Sequence, residues 1–93
     1  MNMLDDKLNK TATVINEFGI HARPAARIAK IASEAQSDVR LCKNGEKADA
    51  TSIIDILSLA CFKGTVVTLE ITNPADMPVL NKIIDLFERG FEE

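Results

Sequence analysis

Asp38-Val39-Arg40-Leu41-Cys42-Lys43-Asn44-Gly45-Glu46-Lys47-Ala48-Asp49 reads as a strand, a two-residue turn and a returning strand. Val39 and Leu41 alternate with Arg40 and Cys42, the period-two pattern of a half-buried strand. Asn44-Gly45 is a pair that accepts positive φ at both central positions, which the tightest hairpin turn requires. Glu46–Asp49 then forms the short return. A hairpin of this kind belongs to an antiparallel or mixed sheet with one face open to water.

Upstream of the hairpin, Lys10–Asn16 is rich in β-branched residues and reads as a first strand, with Ala12 and Val14 on one face. Gly19-Ile20-His21-Ala22-Arg23-Pro24-Ala25-Ala26 follows. Proline is tolerated in the first turn of a helix, where its missing N–H has no intrahelical partner, so a helix opens here and runs to about Ala35. Ala25, Ile28, Ala29 and Ala32 fall at i, i+3, i+4 and i+7 and form a slim apolar stripe suited to close packing. Downstream, Thr51 or Ser52 caps a short helix, with Asp55 three residues after Ser52 in capping-box-like spacing. That helix is expected to run to Cys61 or Phe62 and to stop at Gly64. Thr65–Thr72 alternates Val67, Leu69 and Ile71 with polar residues, and Asn73-Pro74 breaks it. Ala75–Phe91 is the strongest helix, with Met77, Leu80, Ile84, Phe87 and Phe91 in register and Ile83 beside them. The order is βαββαβα. It predicts an α+β open-faced β-sandwich, a four-stranded antiparallel sheet with three helices on one face.

A chain of 93 residues holds one modest core. The expected domain is 9–93, with 1–8 a frayed N-terminal extension. Composition is ordinary for a globular protein, 46% hydrophobic and 27% charged, and 11 Lys+Arg against 14 Asp+Glu leave a net charge of −3. That balance speaks against wrapping nucleic acid. No apolar run approaches the ~18 residues of a membrane span, and Met1–Lys10 lacks a signal peptide's hydrophobic segment, so a cytoplasmic protein without membrane insertion is expected. Cys42 and Cys61 are then expected as reduced thiols.

The only histidine, His21, stands at or just before the helix start. Unpaired backbone N–H groups and the positive end of the helix dipole gather there, and they stabilise a phosphate-sized anion. Arg23 adds a fork of fixed donors. An imidazole with one nucleophilic nitrogen at such a place suits the carriage of a phosphoryl group. The plainer alternative is an exposed or capping histidine. A metal site is not expected, since one His and two distant Cys lack HxxxH or CxxC spacing.

Three patches give the chain a wider likeness: Asn16-x-x-Gly-Ile-His-Ala-Arg-Pro-Ala, Asn44-Gly45, and Thr51-Ser-Ile-x-x-x-Leu-x-Leu with Lys63-Gly-Thr-Val-Val-Thr after it. Over roughly residues 9–91 the chain resembles the histidine-containing phosphocarrier family, HPr, of the bacterial phosphoenolpyruvate:sugar phosphotransferase system. The resemblance implies that His21 accepts a phosphoryl group on Nδ1 from phosphorylated Enzyme I and passes it to sugar-specific EIIA-type components. Arg23 would pair the phosphate, the N–H groups of Ala22 and Arg23 would face it, and Pro24 would fix the start of the helix. Proline at the first helical position would make Arg23 the cap, whereas the family pattern gives that place to His21. The family is a carrier with a covalent phosphohistidine intermediate, not an enzyme that turns over alone, and it uses no cofactor; a monomer is expected.

By the same resemblance Ser52 matches a regulatory serine phosphorylated by an HPr serine kinase; read from the residues alone it is an N-cap. Asp55 stands where family members often have Lys or Gly, and Ala60 replaces a frequent glycine. Ile20, Ile53, Ile54 and Leu57 match an exposed apolar docking patch, with Arg27 and Lys30 as a basic rim for acidic partners. The competing function is a regulatory HPr-like binding module, of a nitrogen branch or of carbon-catabolite control, whose phosphorylation switches partner binding. An RNA-binding sheet is disfavoured because no Phe lies in an expected strand and Tyr and Trp are absent.

Overall fold

The hairpin forms as β2, Val39–Lys43, and β3, Glu46–Asp49, with Leu41 opposite Ala48. Asn44 and Gly45 take φ of +50° and +83°, so both turn residues are left-handed as the type I′ turn demands. The computed structural model describes residues 8–93. In it β2 pairs with β4, Val66–Ile71, and β4 pairs with β1, Asn9–Thr13, giving the antiparallel order β1-β4-β2-β3. Val39, Leu41, Ala48, Val67, Leu69 and Ile71 point to the core. The other face carries Arg40, Cys42, Lys47, Thr68 and Glu70, with an ion pair between Lys47 and Glu70 at 3.3 Å.

Three helices cover the inner face: α1, Ala22–Ala32; α2, Ile53–Ser58; and α3, Met77–Glu88. The slim stripe of α1 is buried as its spacing predicts, and α1 packs on both α2 and α3. Helix α3 buries Leu80, Ile83 and Phe87, together with Val79 and Leu86, while Met77 and Ile84 are only partly covered. The architecture is the open-faced sandwich that the alternation and the hairpin predict.

The element ends differ from expectation, each for a local reason. Strand β1 closes at Thr13 rather than Asn16, although Val14 still donates to Thr65 O at 2.9 Å and accepts from Gly64 at 2.7 Å. Helix α1 ends at Ala32 rather than Ala35. The Asp76 carboxylate accepts the N–H groups of Gln36 and Ser37 at 2.8 and 3.0 Å and draws the chain off the helix axis. Helix α2 stops at Ser58, and Gly64 is not its terminator: Ala60 takes the left-handed φ of +54°. The ammonium of Lys43 donates to the carbonyls of Leu59 and Ala60, both at 2.9 Å, and so satisfies the end of α2. Helix α3 starts after a 3₁₀ turn, Pro74–Asp76, and ends at Glu88; Phe91 reaches the core from a second turn, Gly90–Glu92, at φ +57°. Residues 1–7 of the expected extension lie outside the described residues. Leu8 accepts a hydrogen bond from Ile71 at 2.9 Å and packs partly buried on the core.

Ala60 supplies a first test. An L-residue in the left-handed region costs about 1 kcal/mol relative to glycine, so Ala60→Gly is expected to raise unfolding stability by about that amount. Denaturant midpoints at unchanged slope check it.

Candidate functional site

Gly19 turns the chain from β1 towards α1 at φ +66°. A Cβ there would lie 2.5 Å from Cys61 O and 3.0 Å from Phe62 Cα, so only glycine lets this loop rest on the segment after α2. The Ile20 N–H donates to Cys61 O at 2.9 Å and Ile20 enters the core, 5% exposed. This corrects its expected place in an exposed docking patch: the turn at Gly19 aims Ile20 inwards.

His21 follows as the N-cap of α1, in extended backbone, and its carbonyl accepts the first helical bond from Ala25 at 3.0 Å. The choice between His21 and Arg23 as cap is thereby decided for His21. Pro24 is the third helical residue, still within the turn whose N–H groups have no helical partner, so its ring costs no bond. Ala22 and Arg23 are exposed, and their N–H groups have no acceptor among the described residues. The Arg23 guanidinium likewise has no ion pair there. Two backbone donors and a helix dipole thus meet at the residue that carries the imidazole, and the charge of Arg23 acts on the neighbouring Glu93 carboxylate.

The His21 ring is 40% exposed, with Nε2 at 2.8 Å from Glu93 Oε2 and 3.1 Å from Oε1. Nδ1 has no partner among the described residues. Phe18 stands edge-on to the ring at 6.3 Å between centroids. Asn16, buried below the site, donates from Nδ2 to Gly19 O at 2.7 Å and to Glu93 Oε1 at 2.9 Å. Hydrogen bonds from His21 first, then Asn16, hold the Glu93 carboxyl below the usual carboxylate range. Neither Glu93 nor a role for Asn16 is legible in the sequence, because these contacts span 72 and 77 residues with no local pattern to announce them.

Of the other expected site residues, Arg27 is already engaged: it pairs with Glu92 at 2.8 Å and donates to Phe91 O at 3.2 Å. Lys30 is exposed in the last turn of α1. Ser52 caps α2, its Oγ accepting the Asp55 N–H at 3.2 Å. Ser52→Ala is therefore expected to cost about 1 kcal/mol in a denaturant melt. Ile53, Ile54 and Leu57 are exposed, while Ile56 alone of α2 enters the core. Phe18 and Phe62, 77% and 70% exposed, are apolar surface that the sequence reading did not single out. Burial pushes both unpaired thiols up, at Cys42 with help from Glu70, which makes them poor nucleophiles. Among the described residues no helix is long and apolar enough to cross a membrane.

Known proteins resemble this chain in sequence and fold. The family described as "PTS HPr component phosphorylation site" matches residues 8–89. The phosphocarrier protein HPr of Cupriavidus necator is 34% identical over 86 residues, covering 92% of this chain and 97% of the relative. The phosphocarrier protein NPr of Escherichia coli is 33% identical over 87 residues, with 92% and 97% covered. The crystal structure of HPr-C-His from Thermoanaerobacter tengcongensis superposes with a TM-score of 0.85 at 34% identity, covering 91% of this chain and 96% of that one. With a family match along nearly its whole described length and relatives that are phosphocarriers of the same size and fold, this chain belongs to the HPr phosphocarrier family of the phosphotransferase system.

Proposed function

We propose that this chain relays a phosphoryl group on Nδ1 of His21, taking it from phosphorylated Enzyme I in the cytoplasm and giving it to EIIA-type, sugar-specific components. The observation that carries this reading is the Nδ1 at the N-cap of α1, which like the adjacent Ala22 and Arg23 N–H groups has no partner among the described residues. Those donors and the Arg23 guanidinium suit the phosphoryl oxygens, by fixed hydrogen bonds and by the helix dipole. A carrier of this kind has no turnover of its own; it lowers a barrier by forming one covalent N–P intermediate between two enzymes. Incubation with phosphoenolpyruvate and Enzyme I, followed by mass spectrometry under alkaline conditions, tests it. One acid-labile phosphoryl group on His21 is expected, and label on any other residue would refute the assignment.

The exposed face of Ile53, Ile54 and Leu57 serves as the docking surface in this reading. Ile54, 76% exposed, can be changed without opening the core. Ile54→Glu is expected to slow phosphorylation by Enzyme I roughly tenfold, because a charge replaces an apolar contact at the centre of a docking surface. Unchanged transfer kinetics in the folded variant would place Ile54 outside the interface. A phosphoryl group on Ser52 would meet the same surface, added by an HPr serine kinase and tolerated at the start of α2. A Ser52→Asp chain should accordingly melt like the wild type and accept phosphoryl groups more slowly.

A further inference from the structure

We propose that Glu93 is a positioning residue for phosphoryl acceptance: its carboxylate, braced by Asn16, holds the ring proton of His21 on Nε2 and leaves Nδ1 unprotonated. A carboxylate only accepts hydrogen bonds, so a neutral imidazole with Nε2 at 2.8 Å from Glu93 Oε2 must carry its proton there. The lone pair then resides on Nδ1, which has no partner among the described residues. Asn16 fixes the carboxylate in turn. It is 6% exposed, its Nδ2 bonds both Gly19 O and Glu93 Oε1, and its own Oδ1 has no partner among the described residues. Reversing the amide would set Oδ1 against two acceptors, so its orientation is determined by its neighbours.

The segment that delivers Glu93 is held against its own backbone preference. Gly90, Phe91 and Glu92 take φ of +60°, +57° and +61° in succession. Two of the three are not glycine, so the left-handed run costs free energy that other contacts offset. Phe91 anchors it in the core, 4.8 Å from the Phe87 ring, and Arg27 and Arg89 each grip Glu92 at 2.8 Å. The product of this bend is the carboxylate on Nε2.

The kinetic part of this inference rests on the phosphocarrier reading. In the step, the Nδ1 lone pair forms the new N–P bond while the donor's bond to phosphorus breaks and its electron pair stays with the donor. His21 keeps its Nε2 proton and becomes a phosphoimidazolium, whose positive charge meets the Glu93 carboxylate. A proton on Nδ1 would block the attack.

Long-range ¹H–¹⁵N NMR of the unphosphorylated full chain at alkaline pH reads the tautomer without any phosphotransfer partner. The wild type is expected to show the Nε2–H tautomer with an observable, hydrogen-bonded Nε2–H proton. Glu93→Ala should lose that proton signal through fast exchange, and Glu93→Gln, whose amide oxygen still accepts, should retain it. Glu93→Lys sets a donor against Nε2 and should drive the proton to Nδ1, with phosphorylation by Enzyme I slowed on the order of tenfold. Far-UV circular dichroism and melts confirm that each variant is folded. A wild-type ring with its proton on Nδ1, a Glu93→Ala chain with an unchanged Nε2–H signal, or a Glu93→Lys chain with its proton still on Nε2 would each overturn the inference. A Glu93→Lys chain that accepts phosphoryl groups at the wild-type rate despite the altered tautomer would do the same. A wild type that accepts no phosphoryl group at all would instead overturn the phosphocarrier reading, while the tautomer data would still decide the positioning of the ring.

Discussion

His21→Ala is expected to take up no phosphoryl group from Enzyme I while folding as the wild type does. The two halves of that expectation come from different parts of the structure. Uptake depends on a nitrogen lone pair beside the Ala22 and Arg23 N–H groups, and the described chain has no other histidine to supply one. Stability depends little on the imidazole. As N-cap, His21 makes no side-chain capping bond, and its one polar partner among the described residues, Glu93, pairs with it at the surface, where water and salt screen the interaction. The backbone N–H and carbonyl, which bond Gly19 O and the Ala25 N–H at 3.2 and 3.0 Å, survive the substitution. Phosphate incorporation followed by intact-mass measurement, with a denaturant melt of the same preparation, checks both. Incorporation that persists in His21→Ala would remove His21 from the relay.

The largest loss of stability is expected at Asp76, a residue with no part in phosphoryl chemistry. Its side chain is 2% exposed and accepts two backbone N–H groups, from Gln36 at 2.8 Å and Ser37 at 3.0 Å. Both are charge-assisted bonds across 40 and 39 residues, tying the segment after α1 to the start of α3. Asp76→Ala removes both acceptors at once, which should cost about 3 kcal/mol in all. For a domain of this size that lowers the melting temperature by on the order of 15 °C. Asp76→Asn retains one oxygen as acceptor but faces an amide donor towards the second N–H, so it should fall between the two. Calorimetry on the three chains gives the order. An Asp76→Ala chain as stable as the wild type would mean that water satisfies those N–H groups unaided.

The elements of this fold were legible because each is specified by neighbours in sequence. Alternation of Val39 and Leu41, and of Val67, Leu69 and Ile71, sets a strand and its buried face within a few residues. The pair Asn44-Gly45 sets the hairpin through its own φ angles, and the Ala25–Ala32 spacing sets the inner face of α1. The place of His21 and Arg23 at a helix start was legible for the same reason, since a helix N-terminus is a local feature.

What the tertiary structure decided lies at the ends of elements and in the partners of the site. Helix α1 stops at Ala32 because the Asp76 carboxylate, arriving with α3, takes the N–H groups of Gln36 and Ser37. Helix α2 stops at Ser58, where the Lys43 ammonium, from β2, binds the carbonyls of Leu59 and Ala60 just beyond it and Ala60 accepts a left-handed turn. Ile20 is buried because Gly19 lies against the backbone of Cys61 and Phe62, a contact that no periodicity encodes. The ring nitrogen left free on His21 is chosen by Glu93, 72 residues away, and by the Asn16 amide that holds it. Periodicity reports which face of a segment is apolar, and capping chemistry reports where a backbone donor lacks a partner. Neither reports which distant carboxylate will arrive to fill the place, because that depends on how the helices stack on the sheet.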